Sequence, residues 1–246
     1  MFLVSIIMPY YKKELYVSES VQSILNQSYT NFELILVNDD TENKNFINKI
    51  SNFDQRIRLI HNDKNLGAGL SRNKAIVLSK GEYIAFCDSD DLWKKNKLEL
   101  QLNFMKKFNL NFSFTSYDII DENNKLIKIR KAPSFVDFKK LRNSCDIGLS
   151  TIIAKKNIFK GNKYQFSNLK TKEDYVLWLK FAQDGIEMKG FDQNLSSWRK
   201  TKNSLSSSIF QKLIDGYRVY REHLGYGIFK SLFYLIILSI NFILKN

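Results

Sequence analysis

Short apolar segments alternate with amphipathic segments over residues 1–93. Four apolar runs predict strands, at 4–8, 33–37, 57–60 and 83–87. Val17, Val21 and Ile24 recur at helical spacing after the first run, and a second helix is predicted at 70–78. Strands that alternate with helices in this way are typical of βαβ units and a parallel sheet. The pattern therefore predicts an α/β fold.

The second half of the chain has a less regular pattern. It predicts helices at 98–108 and 175–182, and strands at 112–120, 126–129, 148–154, 186–191 and 195–199. No linker rich in Pro, Gly or Ser separates the halves, so we expect them to dock on each other. The predicted units are a first subdomain at 1–93, a second subdomain at 94–205 and a C-terminal helical extension at 206–246.

The two ends of the chain are both apolar. Residues 1–9 lack a basic region and a cleavage site, which favours a buried strand over a signal peptide. Residues 228–244 are almost continuously apolar but fall short of the roughly 20 residues of a membrane-spanning helix. An interfacial or shallowly inserted helix is therefore favoured. The alternative is a helix that packs on the protein's own core.

Composition narrows the choice of partners and compartment. Hydrophobic residues make up 44% of the 246 residues, enough for a sizeable core, and the net charge is +13. That charge favours anionic partners, although nucleotide bias in an AT-rich genome explains it equally well. Cys87 and Cys145 are the two cysteines, which is typical of a reducing compartment. A nucleic-acid-binding module is disfavoured because the strongest motif is acidic.

That motif follows the fourth predicted strand and consists of Asp88, Ser89, Asp90 and Asp91. Carboxylates gathered at a strand end repel each other, and a divalent cation would offset that cost. Acidic clusters also occur in solvated loops. Here an apolar strand precedes the cluster and Leu92-Trp93 follow it, which favours metal binding.

Three further motifs offer phosphate, nucleotide or proton chemistry. The turn at Gly67 and Gly69 leads into a helix whose free N–H groups and Arg72 could face a phosphate, although it lacks the ending of a Walker loop. Asp39 and Asp40 follow the second strand. A carboxylate at this place can accept hydrogen bonds from a base or a ribose. The alternative is that these residues close an Asx-type turn. Glu173 and Asp174 open a predicted helix, as helix caps or as a general base.

The chain resembles the family 2 glycosyltransferases in the order of its motifs. The resemblance rests on residues 4–12 (VSIIMPYYK), 23–29 (SILNQSY) and 32–39 (FELILVND), then on Asn65, Gly67, 71–73 (SRN), 81–84 (GEYI), 88–91 (DSDD) and 173–174 (ED). These motifs extend over about the first 200 residues, and their joint occurrence is far more specific than any one of them.

The resemblance implies a GT-A fold: a Rossmann-like, mostly parallel sheet with a smaller acceptor-side subdomain and a C-terminal helical extension. It implies an inverting transfer that depends on Mn²⁺ or Mg²⁺. Asp174 matches the catalytic base and Asp90 the metal ligand. The residues implied to bind the donor are Pro9, Tyr11, Asp39, Arg72, Asp88 and Ser89. Trp93, Glu173 and Arg199 are candidates for acceptor or diphosphate contacts.

The chain departs from the family pattern at three places. Asn38-Asp39-Asp40-Thr41 replaces the usual Asp-Asp-Gly-Ser, and Thr201 stands where a late motif at 198–206 usually has His. No Gln-x-x-Arg-Trp segment occurs, so the resemblance implies an enzyme that adds a single sugar rather than a processive synthase. A nucleotidyltransferase is disfavoured because the first strand is not followed by a Gly-rich, basic loop. A catalytically inactive relative is disfavoured because both acidic motifs are intact.

The resemblance also implies partners and a location. We expect a nucleotide-sugar donor, most simply a UDP-sugar, and a lipid-linked or glycan acceptor in the synthesis of O-antigen, capsule or another surface polysaccharide. We expect no nucleic acid partner. The basic charge and the apolar C-terminus predict a cytoplasmic protein that is peripheral at the cytoplasmic face of the inner membrane.

Overall fold

A computed structural model describes residues 1–201 and 208–245. The first part of the chain forms the predicted βαβ units. Its strands are β1 (Val4–Tyr10), β2 (Phe32–Asn38), β3 (Ile57–His61) and β4 (Tyr83–Phe86), and its helices are α1 (Glu14–Leu25), α2 (Lys44–Ser51) and α3 (Ala68–Leu78). The four strands pair in parallel, in the order β3-β2-β1-β4. Helix α2 was not predicted; it is short, and Ile47 and Ile50 are its buried residues.

The second part contributes six strands and three helices. The strands are β5 (Leu92–Trp93), β6 (Phe112–Ile120), β7 (Leu126–Arg130), β8 (Phe135–Val136), β9 (Ile153–Lys155) and β10 (Met188–Arg199), and the helices are α4 (Lys97–Lys107), α5 (Phe138–Asn143) and α6 (Glu173–Gln183). The two strands predicted at 186–191 and 195–199 are one strand, β10, with two irregularities in its register against β6.

The strand predicted at 148–154 was only partly right. Leu149–Thr151 form a 3₁₀ turn, and β9 begins after it. The Thr151 hydroxyl donates to the Gly148 carbonyl oxygen over 2.6 Å, and the Thr151 N–H donates to the same oxygen over 3.1 Å. Local hydrogen bonds of this kind compete with a strand ladder.

All ten strands belong to one sheet, in the order β3-β2-β1-β4-β9-β6-β10-β5, with β7 beside β6 and β8 beside β10. The long ladders are parallel, and the short strands β5, β7, β8 and β9 add antiparallel pairs. The predicted α/β class with a mostly parallel sheet is therefore confirmed. The sheet continues across residue 93, and the subdomain boundary predicted at 205–206 lies outside the described residues.

The C-terminal extension consists of α7 (Ile209–Arg218), a π-helical turn (Val219–His223) and α8 (Ile228–Lys245). Its inner side packs on α5 and the main core through Tyr220 and Leu238. Its outer side leaves large apolar residues such as Phe229 and Phe233 exposed. In the part of the chain that the structure describes, α8 alone is long and apolar enough to cross a membrane by length and composition.

Candidate active site

The acidic turn lies at the carboxyl edge of the sheet, directly after β4. The Asp91 N–H closes the turn by donating to the Asp88 carbonyl oxygen over 3.0 Å. Ser150 holds both ends, because its Oγ accepts from the Asp88 N–H over 3.0 Å and donates to Asp91 Oδ2 over 2.5 Å. Asp91 Oδ1 accepts from the Arg199 N–H over 3.0 Å. Buried Asp91 therefore fixes the turn, while Asp88 and Asp90 present its other two carboxylates.

Arg199 supports the same turn from β10. Its side chain is almost fully buried, and its Nε donates to the Asp90 carbonyl oxygen over 2.8 Å. Its Nη2 donates to Glu19 over 2.8 Å, its Nη1 donates to Asn124, and its guanidinium stacks over Tyr16. In this conformation Arg199 therefore orients the backbone of the acidic turn.

Two further predicted residues of this region also have partners within the protein. Trp93 is buried, and its indole N–H donates to the Ser150 carbonyl oxygen over 2.9 Å. Ser89 is buried too, and its carbonyl oxygen accepts from the Ser20 hydroxyl over 3.1 Å. These bonds connect the acidic turn to α1 and the strand that follows it to Ser150.

The turn concentrates negative charge in a partly buried place. Burial raises the pKa of the Asp90 carboxyl, and the Lys13 ammonium 2.6 Å away opposes that rise. Burial and the neighbouring Asp90 and Asp88 carboxylates raise the pKa of Asp91 well above its usual range. A cation at this turn would stabilise the ionised carboxylates.

The acidic turn fits a divalent metal that is held largely by the substrate. Within residues 1–201 and 208–245, no group of three or more His, Cys, Asp or Glu side chains could hold a metal by itself. Mg²⁺ is commonly bound by one or two carboxylates together with substrate phosphates. Asp90 and the half-buried Asp88 supply such a pair of carboxylates. The diphosphate of a nucleotide would provide the remaining oxygens.

Asp39 holds the glycine turn that precedes α3. Its Oδ1 accepts from the Leu66 N–H and from Asn62 Nδ2, and its Oδ2 accepts from the Gly67 N–H, each over 2.8 Å. Gly67 has φ 83° and ψ 162°, a conformation that is essentially confined to glycine. Asp39 therefore joins the end of β2 to the start of α3.

The departure from the family pattern at Asp40 is compensated locally. The Asp40 N–H donates to Asn38 Oδ1 over 2.9 Å, and Asp40 Oδ1 accepts from the Glu42 N–H over 3.0 Å. Asx-type bonds of this kind close a turn without glycine. Beside this turn, Pro9 is buried in β1 and Tyr11 is 44% exposed. The exposed Tyr11 ring is thus available to a ligand.

Arg72 connects the acidic turn to the acids of α6. Its Nη2 lies 2.6 Å from Asp88 Oδ1, and its Nη1 lies 2.5 Å from Glu173 Oε1. The side chain is buried, and its guanidinium lies 5.4 Å from the centre of the Phe166 ring. Burial lowers the pKa of Arg72, but the carboxylates of Asp88 and Glu173 outweigh burial and raise it above its usual range. Residues predicted from three separate motifs therefore form one charged cluster.

Glu173 and Asp174 begin α6 beside this cluster. Burial, reinforced by the Asp174 carboxylate and opposed by Arg72, raises the pKa of Glu173 to about 7. Burial also raises the pKa of Asp174, whose Oδ1 accepts from the Tyr175 N–H over 2.7 Å. A half-buried carboxylate with a raised pKa is a stronger base, as general-base catalysis requires. The pair therefore offers proton chemistry next to a predicted diphosphate site.

Sequence reasoning missed several residues that build the site. Lys13 pairs with Asp90, Ser150 holds the acidic turn, and Asn62 donates to Asp39. Lys13 directly follows the motif at 4–12, which is a usable signal. Ser150 lies 59 positions from its partner Asp91, and no local pattern marks it.

Comparison with known proteins shows the family. The family model described as Glycosyl transferase family 2 matches residues 5–165. The chain is 37% identical over 213 residues to the UDP-Glc:alpha-D-GlcNAc-diphosphoundecaprenol beta-1,3-glucosyltransferase WfgD of Escherichia coli, covering 86% of this chain and 83% of WfgD. It is 33% identical over 223 residues to the putative teichuronic acid biosynthesis glycosyltransferase TuaG of Bacillus subtilis (strain 168), covering 89% and 88%.

Solved structures share the fold. The S. aureus TarS fragment 1–349 in complex with UDP-GlcNAc superposes with a TM-score of 0.75 at 21% identity, covering 94% of this chain and 70% of that chain. The same fragment in complex with UDP gives a TM-score of 0.69 at 19% identity, covering 94% and 69%. The architecture is therefore that of the GT-A fold, as expected. From the family match and the related sequences, the chain belongs to glycosyl transferase family 2 and is a glycosyltransferase.

Proposed function

We propose that this enzyme transfers one sugar from a UDP-sugar to a hydroxyl of a lipid-diphosphate-linked glycan during surface-polysaccharide synthesis. The observation that carries the proposal is the bridge made by Arg72 between Asp88 and Glu173. It joins the proposed donor-binding acid to the pair that contains the proposed base. The name of WfgD, which specifies UDP-Glc and a diphosphoundecaprenol acceptor, supports this choice of substrates.

The proposed reaction is a single displacement. Asp174 accepts the proton of the acceptor hydroxyl while that oxygen forms a bond to the anomeric carbon of the sugar. The bond from the anomeric carbon to the diphosphate oxygen breaks, and the electron pair leaves with the nucleotide. One displacement inverts the anomeric centre, whereas retention through two displacements would need an enzyme nucleophile. The raised pKa of Asp174 supports its role as base.

Asp90, with Asp88, is proposed to hold Mn²⁺ or Mg²⁺ together with the donor diphosphate. When bound, such an ion neutralises the charge that develops on the leaving diphosphate. Arg199 and Ser150 keep the acidic turn in shape for this contact. Lys13 adds a cation beside Asp90.

The nucleoside is proposed to bind along the ends of β1 and β2. Tyr11 offers an exposed ring against which a base can stack, and Pro9 fixes the strand that leads to it. Asp39 keeps hydrogen bonds to Leu66 and Gly67 and stays a predicted contact of the base. Ser89 within the acidic turn and Trp93 directly after it are proposed to shape the pocket.

The apolar outer side of the C-terminal extension is proposed to lie on the membrane that carries the acceptor. We call it the α7–α8 surface. It is formed by the exposed residues Ile209, Phe210, Leu213 and Ile214 of α7 and Phe229, Phe233, Ile236, Ile240 and Ile243 of α8. An exposed surface of this kind is typical of helices that lie in the membrane interface. The net charge of +13 supports attraction to anionic lipid.

The reaction is tested with the full chain, a panel of nucleotide sugars and a synthetic lipid-diphosphate GlcNAc acceptor. UDP-glucose is the first donor to try, and each reaction is run with Mn²⁺, with Mg²⁺ and with chelator. We expect metal-dependent transfer from one UDP-sugar and inversion at the anomeric carbon. A folded protein that binds none of the nucleotide sugars would contradict the proposal.

The membrane contact is tested by sedimentation with vesicles that contain anionic phospholipid. We expect the paired substitution Phe210→Ser and Phe233→Ser to reduce the bound fraction strongly. Phe53→Ser is the matched control, because Phe53 is also exposed but lies outside the α7–α8 surface. Equal sedimentation of both variants and the unaltered protein would argue against this surface as the contact.

A further inference from the structure

A buried carboxylate in α7 binds the segment that precedes Glu173 and Asp174, the pair that contains the proposed base. Asp215 is fully buried, and its Oδ2 accepts from both the N–H and the hydroxyl of Thr171, each over 2.9 Å. Gln211 Nε2 donates to the same oxygen over 3.0 Å, and Arg218 Nη1 lies 3.7 Å from Oδ1. The Asp215 carboxylate therefore connects α7 to Thr171, which lies two positions before Glu173.

Lys172, which lies between Thr171 and Glu173, has a backbone conformation that neighbouring structure must hold. Its φ is 64° and its ψ is 17°, in the left-handed region that non-glycine residues rarely adopt. Such a conformation persists where neighbouring structure fixes it. Helix α6 fixes one side through the bond from the Val176 N–H to the Lys172 carbonyl oxygen, over 3.2 Å. Asp215 fixes the other side by holding Thr171.

Helix α7 also limits where the Lys172 side chain can go. A Cβ added to Gly216 would lie 3.6 Å from Lys172 Cε and 2.8 Å from Leu235 Cδ1. Gly216 thus lets α7 approach both α8 and the turn at 171–172. The Lys172 side chain, at the N-cap position, makes no capping hydrogen bond to α6. The orientation of the first residues of α6 therefore depends on contacts from outside that helix.

We infer that Asp215 is a positioning residue for the glycosyl transfer. By holding Thr171 it sets the turn from which Glu173 and Asp174 project, so the C-terminal extension forms part of the catalytic apparatus as well as the proposed membrane contact. The inference rests on the proposed role of Asp174 as the base. Asp215 acts through the turn and does not touch the reacting atoms.

The chemistry of the contact explains why a carboxylate stands at this position. Three donors converge on Asp215 Oδ2. An ionised carboxylate oxygen accepts hydrogen bonds more strongly than a neutral oxygen does. Asp215→Asn keeps one side-chain oxygen for Thr171 and is the conservative variant. Asp215→Ala leaves the buried N–H and hydroxyl of Thr171 without an acceptor, so the turn at 171–172 relaxes to find other partners.

The test compares turnover with donor affinity in the full chain. For Asp215→Ala we expect kcat to fall about tenfold to a hundredfold, as a displacement of the base by about 1 Å would cause. The Kd of the UDP-sugar should stay within about twofold, because the donor-side contacts are intact. Asp215→Asn should recover most of the turnover. The matched control is Asn241→Ala, which removes another bond between the extension and the body, from Asn241 Nδ2 to the Asn143 carbonyl oxygen over 2.9 Å.

A second variant decides the matter if Asp215→Ala does not fold. Thr171→Val removes the hydroxyl donor and keeps the backbone bond, so kcat should fall by a smaller factor, about three- to tenfold, with donor Kd unchanged. Unchanged kcat in the folded variants would overturn the inference. So would a fall in kcat that is matched by an equal loss of donor affinity, or by an equal fall in Asn241→Ala, since either result indicates general damage.

Asp174→Asn, run in the same assay, separates this inference from the proposed function. Full turnover of Asp174→Asn would remove the proposed base. An inactive Asp174→Asn together with a fully active Asp215→Ala would leave the base in place and overturn only the positioning role.

Discussion

The donor-side and acceptor-side edges of the site are held by different kinds of contact. On the donor side, Asp39 binds the backbone of Leu66 and Gly67, which follow the strand next to its own. On the acceptor side, Arg72 binds Glu173 across 101 positions of sequence, and Thr171 is held from α7 across 44 positions. Neighbouring loops of the parallel sheet hold the first edge, and separate layers of the fold hold the second.

This difference has a consequence for function. Parallel strands end at a common edge, so their loops together form a ligand site. The pair at 173–174 is held beside that edge by contacts from α3 and, through Thr171, from α7. Donor binding should therefore tolerate damage to the acceptor side, while turnover should depend on both.

The strongest test of this separation is Asp174→Asn. Loss of the proposed base should lower kcat by about 10²- to 10⁴-fold. Donor affinity should stay within about twofold, because the hydrogen bonds that hold the Asp39 turn and the acidic turn are made by other residues than Asp174. Steady-state kinetics and calorimetric binding of the UDP-sugar measure the two quantities.

Asp184→Asn is the matched control for that measurement. Asp184 lies at the other end of α6, where it is paired with Lys163 at the surface. We expect kinetics like those of the unaltered protein. An Asp174→Asn variant that loses donor affinity as much as turnover would show that the two edges do not act separately.

The second test removes the residue that joins the two edges. Arg72→Met leaves the carboxylates of Asp88 and Glu173 without their buried partner. Removal of one partner from a buried ion pair costs about 3–5 kcal/mol, and urea unfolding at neutral pH should show a loss of this size. Glu42→Gln is the control, because it breaks an exposed pair with Lys12 and should leave the unfolding midpoint unchanged.

The contrast between the edges also explains how far the sequence alone could go. The strands β1 to β4 and the acidic turn follow from apolar runs that end in polar residues, which is local information. The motif order then implied that Arg72, Asp88 and Glu173 belong to one site, and the structure brings these three side chains together. Their roles toward the substrates remain predictions.

The distant residues that hold the site could not be inferred from the sequence around each motif. Nothing near Arg199 in the sequence indicates that it supports the Asp90 backbone 109 positions away, or that Ser150 closes the acidic turn. The turn at 149–151 read as a strand because Leu149, Ile152 and Ile153 are apolar, whereas hydrogen bonds from Thr151 decide its shape. Asp215 belongs to none of the sequence motifs described above. Burial and long-range pairing arise only in the folded chain.

The third test uses pH to compare Glu173 with an exposed carboxyl. The native pKa of Glu173 is raised to about 7 from an ordinary value of 4.5, so between these pH values the native protein binds more protons than the unfolded chain. The contribution of Glu173 to the free energy of unfolding is therefore present at low pH and is lost as pH rises towards about 7. Its slope is limited to about 1.4 kcal/mol per pH unit. Urea unfolding at several pH values should show that the free energy of unfolding depends less on pH in Glu173→Gln than in the unaltered protein.

Glu222 supplies the control of opposite sign. Its exposed carboxylate accepts a hydrogen bond from Arg218, and that bond lowers its pKa. Its contribution is present above the unfolded pKa and is lost as pH falls, so Glu222→Gln should not weaken the dependence between pH 4.5 and 7. The same pH dependence in Glu173→Gln and the unaltered protein would contradict the raised pKa.

The smallest expected effect concerns the donor side alone. Gly67→Ala places a Cβ in open space but keeps a backbone conformation that is essentially confined to glycine. We expect a loss of about 1–3 kcal/mol in the free energy of unfolding, measured with urea. The relaxed turn should also weaken UDP-sugar binding, because Asp39 orients the Gly67 N–H.

Gly227→Ala separates strain at the turn from the general effect of replacing glycine. A Cβ at Gly227 also meets nothing within 4 Å, and its φ lies outside the left-handed region. Alanine there restricts the unfolded chain, so stability should stay the same or rise by about 0.4–1 kcal/mol. If Gly67→Ala lowers kcat at saturating donor as much as it weakens donor binding, the effect of the strained donor-side turn must extend to the position of the base at α6. The two edges would then be coupled through α3, where Gly69 lies against Glu173.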